Sequence, residues 1–376
     1  MRIGVNALLL ATGEGYRRTG VSRYIDELVR HLPGALDADD AVTLFASATS
    51  TVPDDPMISV RRAPAWAKSP TARIAWEQAG LAMAARSRSL DVFHGTVNVL
   101  PRSLKMPGVV TIHDLAFLEW PEHLPWARQR YLASGVRDAA RRAKLVITPS
   151  EATKADVVDK LGVEPGRIVV TPLATRVRHR ELGLRDWEVL QIRYGLTVPF
   201  ILFVGTVEPR KNLARLVRAF DMIAGGIEHE LLLAGPSGWH SQELDRALTE
   251  SSARFRIRRL GFVPDDHLEM LYQSAAVVAI PSISEGFGLP VLEAMAAGGA
   301  VVTSSTSSLP EVGGDGAHYV HPMSVEGIAQ GLDRVIKDAE LNVRLRENGL
   351  RRAGAFSWQH TARLTVAAYR QAAAGK

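Results

Sequence analysis

The chain has 376 residues, 46% of them hydrophobic and 23% charged, which is typical of soluble globular proteins and long enough for two domains. It has no cysteine, which excludes disulfides, zinc ribbons and thiolate catalysis. Its net charge of +5 favours anionic partners. No apolar run approaches the roughly 18 residues of a membrane-spanning helix, and the N-terminus is typical of a strand, so we expect a cytoplasmic protein.

Short apolar runs alternate with helical stretches, which is the pattern of parallel sheets wound by helices. The first series of predicted strands is Arg2–Leu10, Val42–Ser47, Ile58–Arg62, Val92–Gly95, Val109–His113, Leu145–Ser150 and Ile168–Pro172. The second series is Phe200–Gly205, Glu230–Gly235, Ile257–Gly261, Val277–Pro281, Ala300–Ser304 and His318–His321. Two such series predict two Rossmann-like α/β domains.

The polar stretch from Thr175 to Arg193 carries many charges and no strand pattern, so we place the linker between the domains there. The expected domains are residues 1–180 and 190–355. The last segment, Trp358 to Gln371, has the spacing of a helix and no strand follows it. From its own pattern, this helix could lie on either domain.

The segment Pro281–Gly299 is the most informative, because it passes from a strand through a Gly-rich turn into a helix. Ligands of parallel sheets bind at such strand ends, and a helix start attracts phosphate. Gly286 and Gly288 allow backbone amides to approach a ligand closely, and Glu285 and Glu293 are placed to bind sugar and ribose hydroxyls. The alternative is that Glu293 only complements the helix dipole and the glycines only shape a turn.

A second strand–loop–helix segment, Phe200–Leu213, places Arg210 and Lys211 just before a helix that Asn212 is expected to cap. Positive side chains are disfavoured at a helix N-terminus unless an anion lies between them. A diphosphate would be such an anion. The alternative for an isolated Arg-Lys pair is that both side chains point into solvent.

Two loops of the first domain carry weaker signals. Gly13–Tyr24 is Gly-rich, but four residues separate Gly15 from Gly20, which is not the dinucleotide-binding spacing and disfavours a nicotinamide enzyme. His113 and Asp114 follow a strand. His113 could hydrogen-bond a sugar hydroxyl there, although a lone histidine at a strand end is more often structural.

Neither a metal site nor a nucleic-acid site is expected. Asp37-Ala-Asp39 is spelled like a metal-binding motif, but it lies in a polar turn that no strand precedes, and we interpret it as surface. The basic charge is not accompanied by a recognised nucleic-acid-binding motif.

Taken together, these residues resemble the retaining glycosyltransferases of family four, which have the GT-B fold. The resemblance spans nearly the whole chain and rests on Gly20-Val-Ser-Arg-Tyr24, Trp76-Glu-Gln78, Val92-Phe-His-Gly95, Thr111-Ile-His-Asp114, Gly205-Thr-Val-Glu-Pro-Arg-Lys-Asn-Leu213, the E-x7-E pair Glu285 and Glu293, and Phe356-Ser-Trp358. The E-x7-E pair in its Gly-Phe-Gly-Leu-Pro context is highly specific. The sequence most resembles bacterial mannosyltransferases of surface-polysaccharide assembly.

The resemblance implies two domains that face each other across a cleft, with residues 358–372 packed back on the first. It also implies a set of donor-binding residues: Gly20, Arg210, Lys211, Glu285, Gly286, Phe287, Gly288, Leu289 and Glu293. In this set Arg210 and Lys211 would bind the diphosphate, Glu293 would bind the ribose, and Glu285 would orient the sugar. His113 would lie beside that sugar and complete the catalytic group.

One departure from the family bears on the diphosphate. Many relatives have Arg directly after the glycine of this strand, where the chain has Thr206, so Arg210 would take over that phosphate contact. We therefore expect a metal-independent retaining hexosyltransferase that needs no cofactor. Its donor substrate would be a GDP- or UDP-sugar, and mannose is the first candidate for the transferred sugar. Its acceptor would be a glycan or a lipid-linked glycan. The alternative is a protein that binds nucleotide sugars without turnover.

The first domain is also rich in basic and aromatic residues that suit an anionic membrane surface. They are Arg61, Arg62, Trp66, Lys68, Arg73, Trp76, Arg86, Arg88, Trp126, Arg128, Arg130, Arg137, Arg141 and Arg142. We therefore expect a peripheral enzyme at the inner face of the cell membrane. Solvated helix faces with buried tryptophans are the alternative.

Overall fold

The computed structural model describes residues 1–10, 20–121, 126–236, 238 and 242–374. The chain divides into two compact units. Unit 1 comprises Met1–Leu173 and Ser357–Lys376, and unit 2 comprises Ala174–Phe356. No helix in the described part of the chain combines the length and the apolar character that crossing a bilayer requires.

Unit 1 is built on a parallel sheet with the strands β1 (Arg2–Ala7), β2 (Ala41–Ala46), β3 (Ile58–Arg62), β4 (Val92–Gly95), β5 (Gly108–Thr111), β6 (Leu145–Thr148) and β7 (Ile168–Val170). Their order in the sheet is β3-β2-β1-β4-β5-β6-β7, and Ile3 aligns with Val42 on one side and Val92 on the other. From β1 the chain adds β2 and β3 on one side of the sheet and then β4 to β7 on the other, so the strand order reverses between β1 and β4. Sheets of this kind bind ligands outside the strand carboxyl ends at that reversal.

The helices of unit 1 that precede its last segment are α1 (Gly20–His31), α2 (Pro70–Ala75), α3 (Leu81–Arg86), α4 (Ala116–Glu119), α5 (Trp126–Arg142) and α6 (Glu151–Leu161). Helices α2 and α3 are joined by a π-turn at Trp76–Gly80, so residues 70–86 form one helical run. Gly80 permits this turn, because a Cβ atom there would lie 2.0 Å from the Trp76 ring. π-turns of this kind are frequent at functional sites.

Unit 2 is built on a second parallel sheet with the strands β8 (Phe200–Val204), β9 (Glu230–Ala234), β10 (Ile257–Gly261), β11 (Val277–Ile280), β12 (Val301–Ser304) and β13 (Ala317–Val320). Their order is β10-β9-β8-β11-β12-β13, and Val278 aligns with Leu202 on one side and Val301 on the other. From β8 the chain adds β9 and β10 on one side and then β11 to β13 on the other, so the strand order reverses between β8 and β11. The two sheets therefore have equivalent points of reversal.

The helices of unit 2 are α7 (Leu184–Tyr194), α8 (Leu213–Ala224), α9 (Gln242–Glu250), α10 (Asp265–Ser274), α11 (Leu289–Ala296), α12 (Leu309–Gly313), α13 (Val325–Lys337) and α14 (Ala339–Ala353). Helix α7 occupies part of the stretch expected to be a linker. It forms there because Asp186 accepts a hydrogen bond from Gly183 N at 2.8 Å, and because Leu190 and Tyr194 are buried. The dense charge of the segment is confined to the exposed side of the helix.

The last helix, α15 (Trp358–Ala374), belongs to unit 1 and packs against α1 and the sheet. A buried series of hydrogen bonds fixes it there. Tyr369 OH lies 2.7 Å from His94 Nδ1, and His94 Nε2 lies 2.8 Å from Thr111 Oγ1, which in turn lies 3.0 Å from Tyr24 OH. Burial, with a smaller contribution from repulsion between the protonated forms of His94 and His113, lowers the pKa of His94 to about 3, so the ring is neutral.

The strands lie where the apolar runs predict them, but several end earlier than predicted. The run Arg2–Leu10, for example, forms a strand only to Ala7, because Leu10 N donates to Ala7 O in a turn. Strands β8 and β11 also end before their predicted last residues. The residues beyond these ends form loops at the carboxyl edges of the sheets.

Candidate functional site

Two loops of unit 2 meet where β8 and β11 end, at the reversal in its sheet. The first loop leads from β8 through Gly205 to Asn212, and the second leads from β11 through Pro281 to Gly288. Ile283 N donates to Arg210 O at 2.8 Å and joins the two loops. These loops carry most of the predicted donor-binding residues.

Arg210 and Lys211 both bind the carboxylate of Glu285. Lys211 Nζ donates to Glu285 Oε1 at 2.5 Å, and Arg210 Nη1 donates to Glu285 Oε2 at 2.7 Å. The side chains of Arg210, Lys211 and Glu285 are 18%, 8% and 6% exposed. Arg210 and Lys211 therefore do not point into solvent. The anion between these two cations is the carboxylate of Glu285, a residue of the chain itself.

The charges in this cluster are balanced. Burial alone would raise the pKa of Glu285, but the charges of Lys211 and Arg210, with hydrogen bonds from Lys211 and Ser282, hold its pKa at about 2. Glu208 Oε1 binds Arg210 Nη2 at 2.7 Å from the other side. Buried Lys211 and partly buried Arg210 are thus paired with carboxylates, which offsets much of the cost of removing these charges from water.

The backbone of Glu285 is held as firmly as its side chain. Ser307 Oγ donates to Glu285 O at 2.6 Å and accepts from Glu285 N at 3.1 Å, and Ser308 Oγ donates to the same carbonyl at 2.9 Å. Ser282 Oγ donates to the carboxylate at 2.8 Å. The carboxylate therefore has a fixed position, which suits a group that orients a ligand.

Asn212 stands at the start of α8, but its side chain does not cap the helix as predicted. Its backbone is left-handed, with φ 64°, because a 3₁₀ turn at Pro209–Lys211 ends there. The amide Nδ2 donates instead to Pro281 O at 3.0 Å and to Pro322 O at 2.6 Å. Asn212 thus ties the loop after β8 to the loop after β11.

Glu293 lies in α11, which begins directly after the second loop. It is buried, and Tyr272 OH donates to Glu293 Oε2 at 3.1 Å. Gly288 precedes the helix with φ 101°, and a Cβ atom there would lie 2.8 Å from Leu309. The left-handed backbone and the close packing both require glycine at this position.

The other predicted residues of this loop are Gly286, Phe287 and Leu289. Phe287 is buried, and its ring packs edge-on against Phe356 with 5.8 Å between centroids. Gly286 has no side chain and Leu289 is the first residue of α11, so the amides of this stretch line the start of the helix. Such amides are suited to binding an anion or a sugar oxygen.

His113 of unit 1 follows β5 and packs edge-on against Tyr24, with 4.7 Å between ring centroids. Its Nε2 lies 3.0 Å from Thr96 O and its backbone N donates to Asn98 Oδ1 at 3.4 Å. Because a carbonyl oxygen only accepts, the proton lies on Nε2 and Nδ1 is an acceptor. Burial lowers the pKa of His113, which keeps the ring neutral.

The remaining predictions in unit 1 concern the loop before α1. Gly20 is the first residue of α1 and is exposed. Residues 11–19, which include the glycines at 13 and 15 of the predicted loop, lie outside the described part of the chain. Asp37 of the Asp37-Ala-Asp39 motif forms an ion pair with Arg370 at 2.7 Å. In the described residues, no group of three or more His, Asp or Glu side chains is placed to hold a metal ion.

The structure thus joins Arg210, Lys211 and Glu285 directly and places Glu293 on the helix that follows. Gly20 and His113 belong to the other unit. Sequence reasoning missed Glu208, the serines that hold Glu285, and the two acceptors of the Asn212 amide. The sequence offered a signal for Glu208, which stands two residues before Arg210, because cations that are shielded from water need carboxylates nearby.

Comparisons with known proteins agree with this architecture. The family described as "Glycosyl transferases group 1" matches residues 192–352, and the one described as "Glycosyltransferase Family 4" matches residues 18–176. O-antigen chain mannosyltransferase B of Escherichia coli is 30% identical to this chain, over 94% of this chain and 97% of its own.

Solved structures share the fold. Sucrose-phosphate synthase from Thermosynechococcus elongatus has a TM-score of 0.78 at 20% identity, with 100% of both chains covered. Anabaena HepE, solved in complex with UDP and glucose, has a TM-score of 0.72 at 19% identity, with 98% of both chains covered. With two parallel-sheet α/β units, this chain has the GT-B fold, and it belongs to glycosyltransferase family 4.

Proposed function

We propose that this glycosyltransferase transfers a hexose from a nucleoside-diphosphate sugar to a glycan or lipid-linked acceptor and retains the anomeric configuration. Mannose is the first candidate for the hexose. The observation that carries the proposal is the convergence of Arg210, Lys211 and Glu285 at the sheet reversal of unit 2. The name of the E. coli relative supports mannose, and the UDP and glucose in the Anabaena structure support a nucleotide-sugar donor.

The donor diphosphate takes the place of Glu285 as the partner of Arg210 and Lys211. A diphosphate carries more charge than a carboxylate and accepts several charge-assisted hydrogen bonds, so it competes well for both cations. Its arrival releases Glu285, whose backbone stays fixed by Ser307 and Ser308, to accept hydrogen bonds from the sugar hydroxyls. Glu293 binds the ribose, and the amides of residues 286–289 bind the donor sugar.

Bond breaking separates charge, and the site is arranged for it. Positive charge develops on the sugar ring and negative charge on the leaving diphosphate, which Arg210, Lys211 and the start of α11 stabilise. Retention is explained by attack on the face that the diphosphate leaves, with the diphosphate accepting the proton of the acceptor hydroxyl. Glu285 then orients the sugar and is not a nucleophile, and His113 offers Nδ1 to a sugar hydroxyl.

The two cationic side chains supply the charge stabilisation for the leaving group, so we propose a reaction that needs no metal ion and no cofactor. Release of nucleotide from the donor sugar should therefore persist in EDTA. A loss of activity in EDTA that Mg²⁺ or Mn²⁺ restores would contradict this part of the proposal.

The donor and its site are tested together by a thermal-shift screen of GDP-, UDP- and ADP-sugars, followed by an assay of nucleotide release. We expect GDP-mannose to give the largest shift. Lys211→Ala should abolish both the shift and the release, because a buried phosphate-binding cation is lost. Lys337→Ala is the matched control, since Lys337 is 57% exposed and pairs only with Asp333 among the ion pairs described; it should behave like the wild type.

The alternative function is nucleotide-sugar binding without turnover. It predicts the same thermal shifts, and the same loss in Lys211→Ala, but no nucleotide release from any donor with or without added acceptor. The intact cluster of Arg210, Lys211 and Glu285 favours the enzyme, because a site without turnover is not constrained to keep all three side chains.

We also propose that unit 1 engages an anionic membrane surface. Trp66 and Trp126 are 59% and 72% exposed, and the Arg130 guanidinium lies 5.0 Å from the centre of the Trp126 ring. Exposed aromatic and basic side chains together suit the lipid headgroup region. Co-sedimentation with phosphatidylglycerol vesicles at low salt should be lost in a Trp66→Ser, Trp126→Ser double variant. Absence of wild-type binding to these vesicles would contradict the proposal.

A further inference from the structure

The sheet of unit 1 has its own point of reversal, and a partly buried carboxylate lies beside it. Asn6 lies near the end of β1, and Thr96 follows β4, so these two residues flank the crevice that corresponds to the one between β8 and β11. Glu77 approaches the same point from the π-turn Trp76–Gly80, where Asn6 Nδ2 donates to Glu77 Oε1 at 2.5 Å.

A continuous series of hydrogen bonds leads from Glu77 to His113. Asn6, which is 5% exposed, accepts through its backbone oxygen from Thr96 Oγ1 at 2.5 Å. Thr96 accepts in turn, through its own backbone oxygen, from His113 Nε2 at 3.0 Å. Each link is short and largely shielded from water, so Glu77 and His113 are held in one rigid frame.

The surroundings of Glu77 differ from those of Glu285. No salt bridge to Glu77 occurs among the described residues, and in the same residues only Oε1 is used in a hydrogen bond, which leaves Oε2 as an available acceptor. Burial raises the pKa of Glu77, and the hydrogen bond from Asn6 and the charge of Arg73 only partly oppose this. The Tyr131 hydroxyl, whose pKa is raised by burial and by the charge of Glu77, is buried without a hydrogen bond of good geometry.

The chemistry of this set limits what it can bind. A carboxylate without a bound cation repels phosphate, and a single carboxylate with Arg73 nearby does not make a metal site. A hydroxyl group suits it, because a hydroxyl donates to a carboxylate and also accepts from a neighbouring donor. A saccharide presents several such hydroxyls on one rigid ring.

We infer that Glu77 binds a hydroxyl of the acceptor saccharide, in a subsite of unit 1 at the reversal between β1 and β4. The inference rests on the proposed transfer to a glycan. Glu77 fixes the position of the acceptor sugar through Oε2, while Asn6 and Thr96 link that position to His113. Glu77 thereby contributes to the choice of acceptor and not to the affinity for the nucleotide.

The test uses saturation-transfer NMR on the full chain with the methyl glycosides of mannose, glucose and N-acetylglucosamine as probes, in the presence of saturating GDP or UDP to fill the donor site. We expect at least one glycoside to bind the wild type. Glu77→Gln should weaken that binding by at least ten-fold while the affinity for the nucleotide stays within two-fold. Glu77→Gln keeps an oxygen for the Asn6 amide, so its thermal unfolding temperature should match the wild type within a few degrees.

Two controls make the outcomes distinct. Glu151→Gln, at a 66% exposed carboxylate of the same unit, should leave glycoside binding unchanged. Lys211→Ala should lose nucleotide binding and keep glycoside binding. No glycoside binding by the wild type, or equal binding by Glu77→Gln, would overturn the inference. Failure of the proposed function shows separately, as a wild type that binds neither GDP nor UDP.

Discussion

The two sheets place polar groups at equivalent strand ends but neutralise them in different ways. In unit 2 the loops after β8 and β11 hold a buried and a partly buried cation, and carboxylates of the chain pair with them. In unit 1 the ends of β1, β4 and β5 carry the neutral groups Asn6, Thr96 and His113, and hydrogen bonds join these groups to the carboxylate of Glu77. Burying charge requires counter-charge, whereas burying neutral groups requires only hydrogen-bond partners.

The difference shows how one fold can hold two kinds of ligand. A cluster whose internal anion can be replaced is suited to a phosphate, which brings its own negative charge. A hydrogen-bonded frame without a resident ion pair is suited to a neutral, hydroxyl-rich molecule. Each of the following variants changes one of these two properties.

The largest effect is expected for Glu285→Gln. Loss of the carboxylate removes the group that orients the sugar, so turnover should fall by about 10²–10³-fold, comparable to the loss of one transition-state hydrogen bond. The same change removes the anion that competes with the diphosphate, so free GDP or UDP should bind about ten-fold more tightly, or about 1.4 kcal/mol. Single-turnover kinetics and isothermal calorimetry give the two values. Weaker nucleotide binding in this variant would show that Glu285 is not displaced.

A smaller effect is expected for Glu293→Gln, in which nucleotide binding weakens and turnover changes little. Loss of a charged ribose contact should weaken nucleotide binding by about 10–30-fold, in line with about 1.5–2 kcal/mol for a hydrogen bond to a charged group, and change turnover little. Tyr272→Phe, which removes only the hydroxyl that donates to Glu293, should produce a weaker change in the same direction. If Glu285 and Glu293 variants gave the same pattern, the division of roles between them would be wrong.

The neutral frame of unit 1 predicts a dependence of stability on pH. His94 is fully buried with a pKa of about 3, whereas in the unfolded chain it titrates near 6.5. Its contribution to the free energy of unfolding is therefore complete above pH 6.5 and is lost as the pH falls towards 3. Between pH 7.5 and 5 the loss should be about 2 kcal/mol of unfolding free energy.

Urea unfolding at both pH values measures this loss. His94→Asn should be less stable than the wild type at pH 7.5 and should lose less on acidification. His360→Asn, on the exposed side of α15, is the control and should lose as much as the wild type. An unchanged pH dependence in His94→Asn would show that the buried ring is not the cause.

The smallest effect is expected for the pH profile of turnover. Burial lowers the pKa of His113, so the ring stays neutral and acts only as an acceptor at Nδ1 between pH 6.5 and 8. His113→Gln should reduce turnover by roughly 3–10-fold, the range of one neutral hydrogen bond, without altering the shape of the profile. A step near pH 6.5 that disappears in His113→Gln would instead assign a proton transfer to this residue.

The fold was largely predictable, because buried parallel strands are nearly continuous apolar runs. Helix α7 was not predicted, since its buried positions Leu190 and Tyr194 are few and its exposed side is densely charged. Strand ends were overestimated because the apolar character of β1 continues into a turn at Leu10 that belongs to the core of unit 1.

The candidate site was predictable to the extent that its signals are local. Glu285 stands next to Gly286, and Arg210 and Lys211 lie in the loop that follows β8 and Gly205, which the sequence shows directly. The anion between the two cations was expected to be a diphosphate, and the structure has Glu285 there, 74 positions along the chain from Lys211. Pairings over such separations, like that of Asn6 with Glu77, follow from sheet order and have no local signature.

The attachment of α15 to unit 1 has a consequence for the order in which the chain folds during synthesis. Unit 2 is one continuous segment that is complete at Phe356, whereas unit 1 gains the helix α15, with Tyr369 as the partner of His94, only after all of unit 2 has been made. Domains generally fold as units while the ribosome is still adding residues. Unit 1 therefore begins before unit 2 and is finished after it, and until then the imidazole of His94 lacks the Tyr369 hydroxyl as a partner.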